Sequence, residues 1–168
     1  MAESSREVLT ATPLFADVLD GPLLDALAAK STIMVFAAGT TLMTEGDFGM
    51  AMFVVTEGSV VVTLRDAGGR ERQVARLGPG DIVGEMSLLT GARRNATVVA
   101  TTEVTALEIT KVGLEDILRR APELIDRFGA MLGARQGELD RIAASSRHDA
   151  GTVAQQIRRF FPSIFGAG

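Results

Sequence analysis

The chain has 168 residues, a length that fits one ordinary domain with a tail, and it is 46% hydrophobic and 23% charged, the balance of a soluble globular fold. Its net charge of −4 argues against holding nucleic acid through a broad basic surface. Without a single cysteine it has no thiolate metal site, redox motif or disulfide, and no apolar run approaches the roughly 20 residues that span a bilayer. The opening Met1-Ala2-Glu3-Ser4-Ser5-Arg6 lacks the apolar centre of a signal peptide, so the expected location is the cytoplasm.

Arg6 to Leu9 starts a short helix that Thr12-Pro13 breaks. Asp20-Gly21-Pro22 reads as a second helix start, with Pro22 at the first helical position. Leu23, Leu24, Leu27 and Ala28 supply the apolar face of that helix, which runs to about Lys30. Residues 1–31 are thus an N-terminal helical segment.

From Thr32 to Thr110 the pattern is that of strands. Thr32 to Phe36, Thr40 to Thr44, Met52 to Val55, Val60 to Arg65, Arg70 to Leu77, Ile82-Val83, Ala96 to Ala100 and Val104 to Ile109 are the expected strands. Glu45-Gly46-Asp47, Glu57-Gly58, Asp66-Ala67-Gly68-Gly69 and Gly78-Pro79-Gly80-Asp81 are turns between them. A parallel sheet needs helices between its strands, and here the helical patterns lie mostly at the two ends. The expected class is α+β, an antiparallel, jelly-roll-like β-roll over residues 32–110.

Beyond Thr110 the helical period returns. Val112 to Arg120 fits a short helix interrupted by Ala121-Pro122, and Glu123 to about Ala144 fits a longer one with Leu124, Phe128, Met131, Leu132, Leu139 and Ile142 at helical spacing. Residues 111–144 are read as a hinge and a lid. Residues 145–168 are read as a linker followed by a basic, aromatic tail, Ile157-Arg158-Arg159-Phe160-Phe161.

Catalytic chemistry is thinly supplied. His148 is the only histidine, set in the polar run Ser145-Ser146-Arg147-His148-Asp149. A triad is assembled in space by rigid elements, so neighbours on one loop do not make one. A metal-dependent cupin enzyme would need several inward histidines or acids, and one linker histidine does not provide them. No enzyme activity and no metal is expected.

Residues Gly84 to Val98 carry the chemistry. Gly84-Glu85 stands at the start of a short helical turn, and Arg94-Asn95 comes just before the next strand. Backbone N–H groups at a helix start attract an anion, and an arginine fork matches phosphate oxygens. A carboxylate accepts a hydrogen bond from a ribose hydroxyl. A small nucleotide with a cyclic phosphate needs this set of groups. Taken singly, Gly84 is also read as a plain turn glycine and Glu85 as a helix-start carboxylate.

In this helix–roll–helix frame the chain resembles the cyclic nucleotide-binding domain family, which includes the catabolite activator protein, the regulatory subunits of cAMP-dependent kinase and cyclic-nucleotide-gated channels. The resemblance covers about residues 10 to 142 and rests on Gly84-Glu85-Met86-Ser87-Leu88, Arg94-Asn95-Ala96, Glu45-Gly46-Asp47, Phe53-Val54-Val55, Gly58 with Val60 and Val62, and Gly78-Pro79-Gly80-Asp81. It implies a phosphate-binding cassette over 84–97. Gly84 lets the backbone approach the ligand, Glu85 holds the ribose 2′-hydroxyl, Met86 and Ser87 offer backbone N–H groups, and Arg94 pairs with the phosphate. Val62 and Val74 match positions lining the base pocket, and plain core packing explains them equally well. Asn95 departs from the family's usual Ala, Ser or Thr, so the choice between cAMP and cGMP stays open. Arg135, out of pattern on the apolar stripe of the last helix, is expected to close over the base, or else to lay its stem on the core. Arg93 is read as a solvated surface residue, and an unliganded Arg94 is expected to be open to water or an anion.

The implied function is a cyclic nucleotide sensor that regulates a linked or partner effector by closing the last helix over the ligand. The tail resembles those of some bacterial channel proteins, so the leading effector is a cyclic-nucleotide-regulated ion channel at the cytoplasmic face of the membrane. No pair of helices suited to DNA follows Ile142, so no nucleic acid is expected, and a homo-oligomer is compatible with this reading. The alternative is a degenerate, nucleotide-free interaction module of the same fold, favoured if Glu85 and Arg94 pair with each other in a closed pocket.

Overall fold

The structure is a computed structural model and describes residues 4–85, 88, 91 and 93–131. The N-terminal segment folds as three short helices, α1 (Ser5–Thr10), α2 (Pro13–Ala16) and α3 (Gly21–Ala29). Ser4 caps α1 in a reciprocal box with Glu7, and Asp20 caps α3 by accepting from the Leu23 N–H at 3.0 Å. Thr12-Pro13 ends one helix and also starts another: Pro13 occupies the first turn of α2, where its missing N–H costs nothing.

Eight strands follow: β1 (Thr32–Phe36), β2 (Thr41–Met43), β3 (Ala51–Glu57), β4 (Val60–Arg65), β5 (Glu71–Leu77), β6 (Ile82–Val83), β7 (Thr97–Ala100) and β8 (Val104–Thr110). They form two four-stranded sheets, in the orders β1-β8-β3-β6 and β2-β7-β4-β5, and every strand pair is antiparallel. This is the two-sheet roll that the strand spacing predicts.

Alternation along each strand sorts the core into two layers. Phe53 and Val55 of β3, Val60, Val62 and Leu64 of β4, Val98 of β7 and Ala106 of β8 fill the space between the sheets. Met52 and Val54 of β3 and Leu107 and Ile109 of β8 face the other way, onto the helices. There they meet Leu9, Phe15 and Leu27 from the N-terminal helices. Leu114 and Ile117 from the Lys111–Arg120 helix join them, with Ile125 and Phe128 from the helical residues 124–131. Each such side chain, fully buried, contributes about 1.5–3 kcal/mol of transfer free energy. The two chain-distant helical regions therefore share one core, an arrangement that reading 1–31 and 111–144 as separate segments does not convey. Arg127 fastens them further by donating to the Asp17 carbonyl at 2.5 Å.

The Lys111–Arg120 helix is capped by Thr110, whose hydroxyl accepts from the Gly113 N–H at 3.2 Å. Its last turn carries Arg119 and Arg120, paired four residues back with Glu115 and Asp116. Among the described residues no helix is long and apolar enough to cross a membrane.

Candidate functional site

Strand directions bring the site to one end of the roll. β3 begins at Ala51, and antiparallel β6 ends beside that start, with Phe53 opposite Val83. β4 pairs Thr63 with Thr97 at the start of β7, and its last residue, Arg65, faces Glu71 at the start of β5. The turn at Gly58 joins β3 to β4 at the opposite end. Gly84-Glu85, Arg94-Asn95 and the β4–β5 hairpin tip thus share the end away from Gly58.

Gly84 leaves β6 at φ +85°, a backbone shape that side chains rarely tolerate. A Cβ added there would lie 2.5 Å from Arg94 Nη1 and 2.8 Å from Met43 Cε. Both space and conformation require glycine. Glu85 follows in helical conformation and is buried. Leu88 continues that turn, its N–H donating to the Gly84 carbonyl at 3.2 Å, and its side chain anchors the turn in the helix-side core.

Arg94 is only 7% exposed, and its guanidinium is satisfied by backbone. Nη1 donates to the Gly84 carbonyl at 3.0 Å and Nη2 to the Ala51 carbonyl at 2.6 Å. The expectation of an arginine open to water or an anion is corrected on this point: two carbonyls at the ends of β6 and β3 offset the loss of solvent. Burial pulls its pKa down, and the charges of Glu85 and Asp47 act in the opposite direction.

The β2–β3 loop does more than turn the chain. The Arg94 N–H donates to the Asp47 carbonyl at 2.6 Å, and the Gly46 N–H returns a bond to the Arg94 carbonyl at 2.8 Å. Arg93, expected to be merely solvated, donates to the Gly46 carbonyl at 3.0 Å and stacks over Phe48 at 4.5 Å from the ring centre. Gly49 lies directly beneath the Arg94 guanidinium. Glu45 ties the same loop to the second sheet, accepting from the Arg65 N–H at 2.8 Å while its own N–H donates to Thr97 Oγ1 at 2.9 Å. Sequence reading missed Asp47, Gly49 and Ala51 as partners of the arginine. The Glu45-Gly46-Asp47 turn pointed to the loop, but Asp47 and Ala51 act through backbone carbonyls, which any residue supplies, and Gly49 acts through the space its missing Cβ leaves.

Val62 is buried between the sheets, and Val74 packs against the same cluster. The residue directly opposite Val62 is Ala75, because the β4–β5 register shifts between Val62 and Thr63 and leaves Val74 displaced. Ala75 also packs on that cluster, a neighbour that a regular alternation could not reveal. Asn95 is exposed and makes no hydrogen bond to a described residue. Met86, Ser87 and Arg135 lie outside the described residues, as do most of the expected lid and all of the linker and tail. Among the described residues no group of three or more His, Asp or Glu is placed to hold a metal ion.

Fold and site together define an antiparallel β-roll with a glycine–carboxylate turn and a buried arginine at one end. The chain belongs to the cyclic nucleotide-binding domain family, whose profile matches residues 33–121. It is similar to the cyclic AMP receptor protein of Thermus thermophilus, 34% identical over 106 residues that cover 63% of this chain and 49% of that protein. It is also similar to a cyclic nucleotide-gated potassium channel of Rhizobium etli, 30% identical over 131 residues, 78% of this chain and 35% of the channel. Among solved structures it resembles the regulatory domain of Toxoplasma gondii PKA with cAMP, with a TM-score of 0.66, 28% identity and coverage of 77% of this chain and 49% of that one. The chain therefore spans half or less of the length of these relatives.

Proposed function

We propose that the chain senses a cyclic nucleotide, cAMP or cGMP, and passes its occupancy to a linked or partner effector. The observation that carries this reading is the meeting of Gly84, buried Glu85 and buried Arg94 at one end of the roll. In it, the cyclic phosphate lies at the helix start, with the Met86 and Ser87 N–H groups and the Arg94 cation as its partners. Glu85 holds the ribose hydroxyl. Val62 and Val74 line the base, and Asn95 stands beside the phosphate.

The effector in this reading is a bacterial cyclic-nucleotide-regulated channel at the cytoplasmic face of the membrane, supported by similarity to the Rhizobium channel. The similarity to a cyclic AMP receptor protein is of the same order, so the ligand domain is common ground between the two. Output comes from closure of the C-terminal helix, with Arg135 over the base, through differential affinity for the closed state.

A second reading has one observation in its favour. Arg94 is already satisfied by the Gly84 and Ala51 carbonyls, as in an interaction module that never takes a ligand. Calorimetric titration of cAMP and cGMP separates the two. Binding at micromolar or lower concentration, abolished by Arg94→Ala and weakened by Glu85→Ala, is the result expected of a sensor. Folded protein that takes neither nucleotide leaves the interaction module.

A further inference from the structure

Among the described residues one sheet ends in the edge strands β1 and β6 and the other in β2 and β5. An edge strand offers alternate N–H and C=O groups to another chain unless it is short, charged or covered. β6 has two residues and β2 has three, so both are short. β5 carries Glu71, Arg72 and Arg76. β1 has neither protection. It is Thr32-Ile33-Met34-Val35-Phe36, five residues rich in strand formers. No charged residue and no proline falls between Lys30 and Glu45. On the side away from β8, no described residue bonds the β1 backbone.

The side chains of β1 are sorted by face. Ile33, opposite Leu107, packs on the helix-side core, and Val35 shares that face but is 63% exposed. Met34, opposite Ala106, and Phe36, opposite Val104, turn toward the space between the sheets. An antiparallel partner that keeps these faces aligned must match residues of the same parity. A second β1 does so when Met34 of each copy meets Met34 of the other. Thr32 then lies opposite Phe36, and Ile33 opposite the exposed Val35, so all five residues are paired.

We propose that β1 is an interaction surface whose partner is β1 of a second copy of this chain, the two joining their four-stranded sheets into one continuous sheet. The pairing satisfies the open backbone groups and covers Val35 with a β-branched neighbour. It is two-fold and uses the same edge on both copies, so association stops at the dimer. Five residue pairs bury less than the roughly 1,200 Å² of a stable interface, so the dimer is reversible and concentration-dependent. β6, which leads into Gly84, lies three strands from β1, about 14 Å across the sheet, and the pairing leaves that end of the roll open.

The test is sedimentation velocity over a concentration series, with wild-type protein, Val35→Lys and Val35→Thr. Wild type is expected to move from monomer to dimer as concentration rises. Val35→Lys should weaken the dimer about tenfold or more, because a charge on an edge strand refuses a partner. Val35 is exposed, so the variant should keep the wild-type circular dichroism. Val35→Thr, uncharged and still β-branched, should keep the dimer. The chain has no cysteine, which allows a direct check of register by disulfide trapping. Met34→Cys sets two thiols opposite each other, about 4.5–5.5 Å apart at Cβ, and should oxidise to a covalent dimer. Val112→Cys, exposed on another face, should not. Wild-type protein that stays monomeric throughout the series overturns the proposal. A dimer that Val35→Lys leaves intact and Met34→Cys does not trap places the contact on another face and overturns it equally.

Discussion

The Arg94 guanidinium lies over Gly49, where an added Cβ would fall 2.0 Å from Arg94 Cζ and 2.3 Å from Nε. The β2–β3 loop thus sets the arginine's position through the absence of a side chain. Gly49 is not in a left-handed conformation, so its requirement is spatial.

Gly49→Ala should displace the arginine from the Ala51 and Gly84 carbonyls without unfolding the roll. Nucleotide affinity is expected to fall roughly tenfold or more, the value of one misplaced charge-assisted bond. Calorimetry read beside circular dichroism makes the check. Unaltered affinity in the variant would show that the arginine has room to move.

Arg94→Ala should cost stability even with no ligand present, because the half-buried Ala51 carbonyl loses its guanidinium donor and the Gly84 carbonyl keeps only the Leu88 N–H. About 1–3 kcal/mol is expected from urea unfolding. A variant as stable as the wild type would mean that water replaces the guanidinium fully.

Phe128→Ala tests whether the two helical regions share one core. Phe128 is fully buried and meets Phe15 edge-on, with ring centres 6.2 Å apart. A loss of about 3–5 kcal/mol is expected, in a single cooperative transition. Two separate transitions in wild-type protein would count against a shared core.

Asp66 gives a pH dependence with a definite sign. Its pKa is held below the ordinary 3.8, first by the Arg72 side-chain bond and then by the Arg70 and Gly68 N–H groups. A depressed folded pKa contributes stability above the unfolded value and loses it as pH falls through the folded value. The stability difference between wild type and Asp66→Asn should therefore be constant at neutral pH and shrink only below 3.8. A difference that changes between pH 5 and 8 would assign the dependence to another group.

Much of the fold was legible because it follows from local rules. Alternation in Val60 to Arg65, the turns at Gly58 and Asp66-Ala67-Gly68-Gly69, and the helix start at Asp20-Gly21-Pro22 are set by residues within a few positions of one another. Gly84, Glu85 and Arg94 were also legible as a group, since residue type and spacing carry their chemistry. What the sequence by itself determined is the strand period, the glycine turns and the residue types at the site.

Tertiary structure decided the partners. Arg94 is held by the carbonyls of Ala51, forty-three positions away, and Gly84, ten away, and a carbonyl leaves no mark in the sequence. The register shift at Val62/Thr63 decided that Ala75 faces Val62, and that Arg72 turns inward while Arg76 turns out. Strand pairing has a period of two, so one extra residue exchanges the faces of everything beyond it. That exchange is a property of two strands packed together, and neither strand's sequence states it alone.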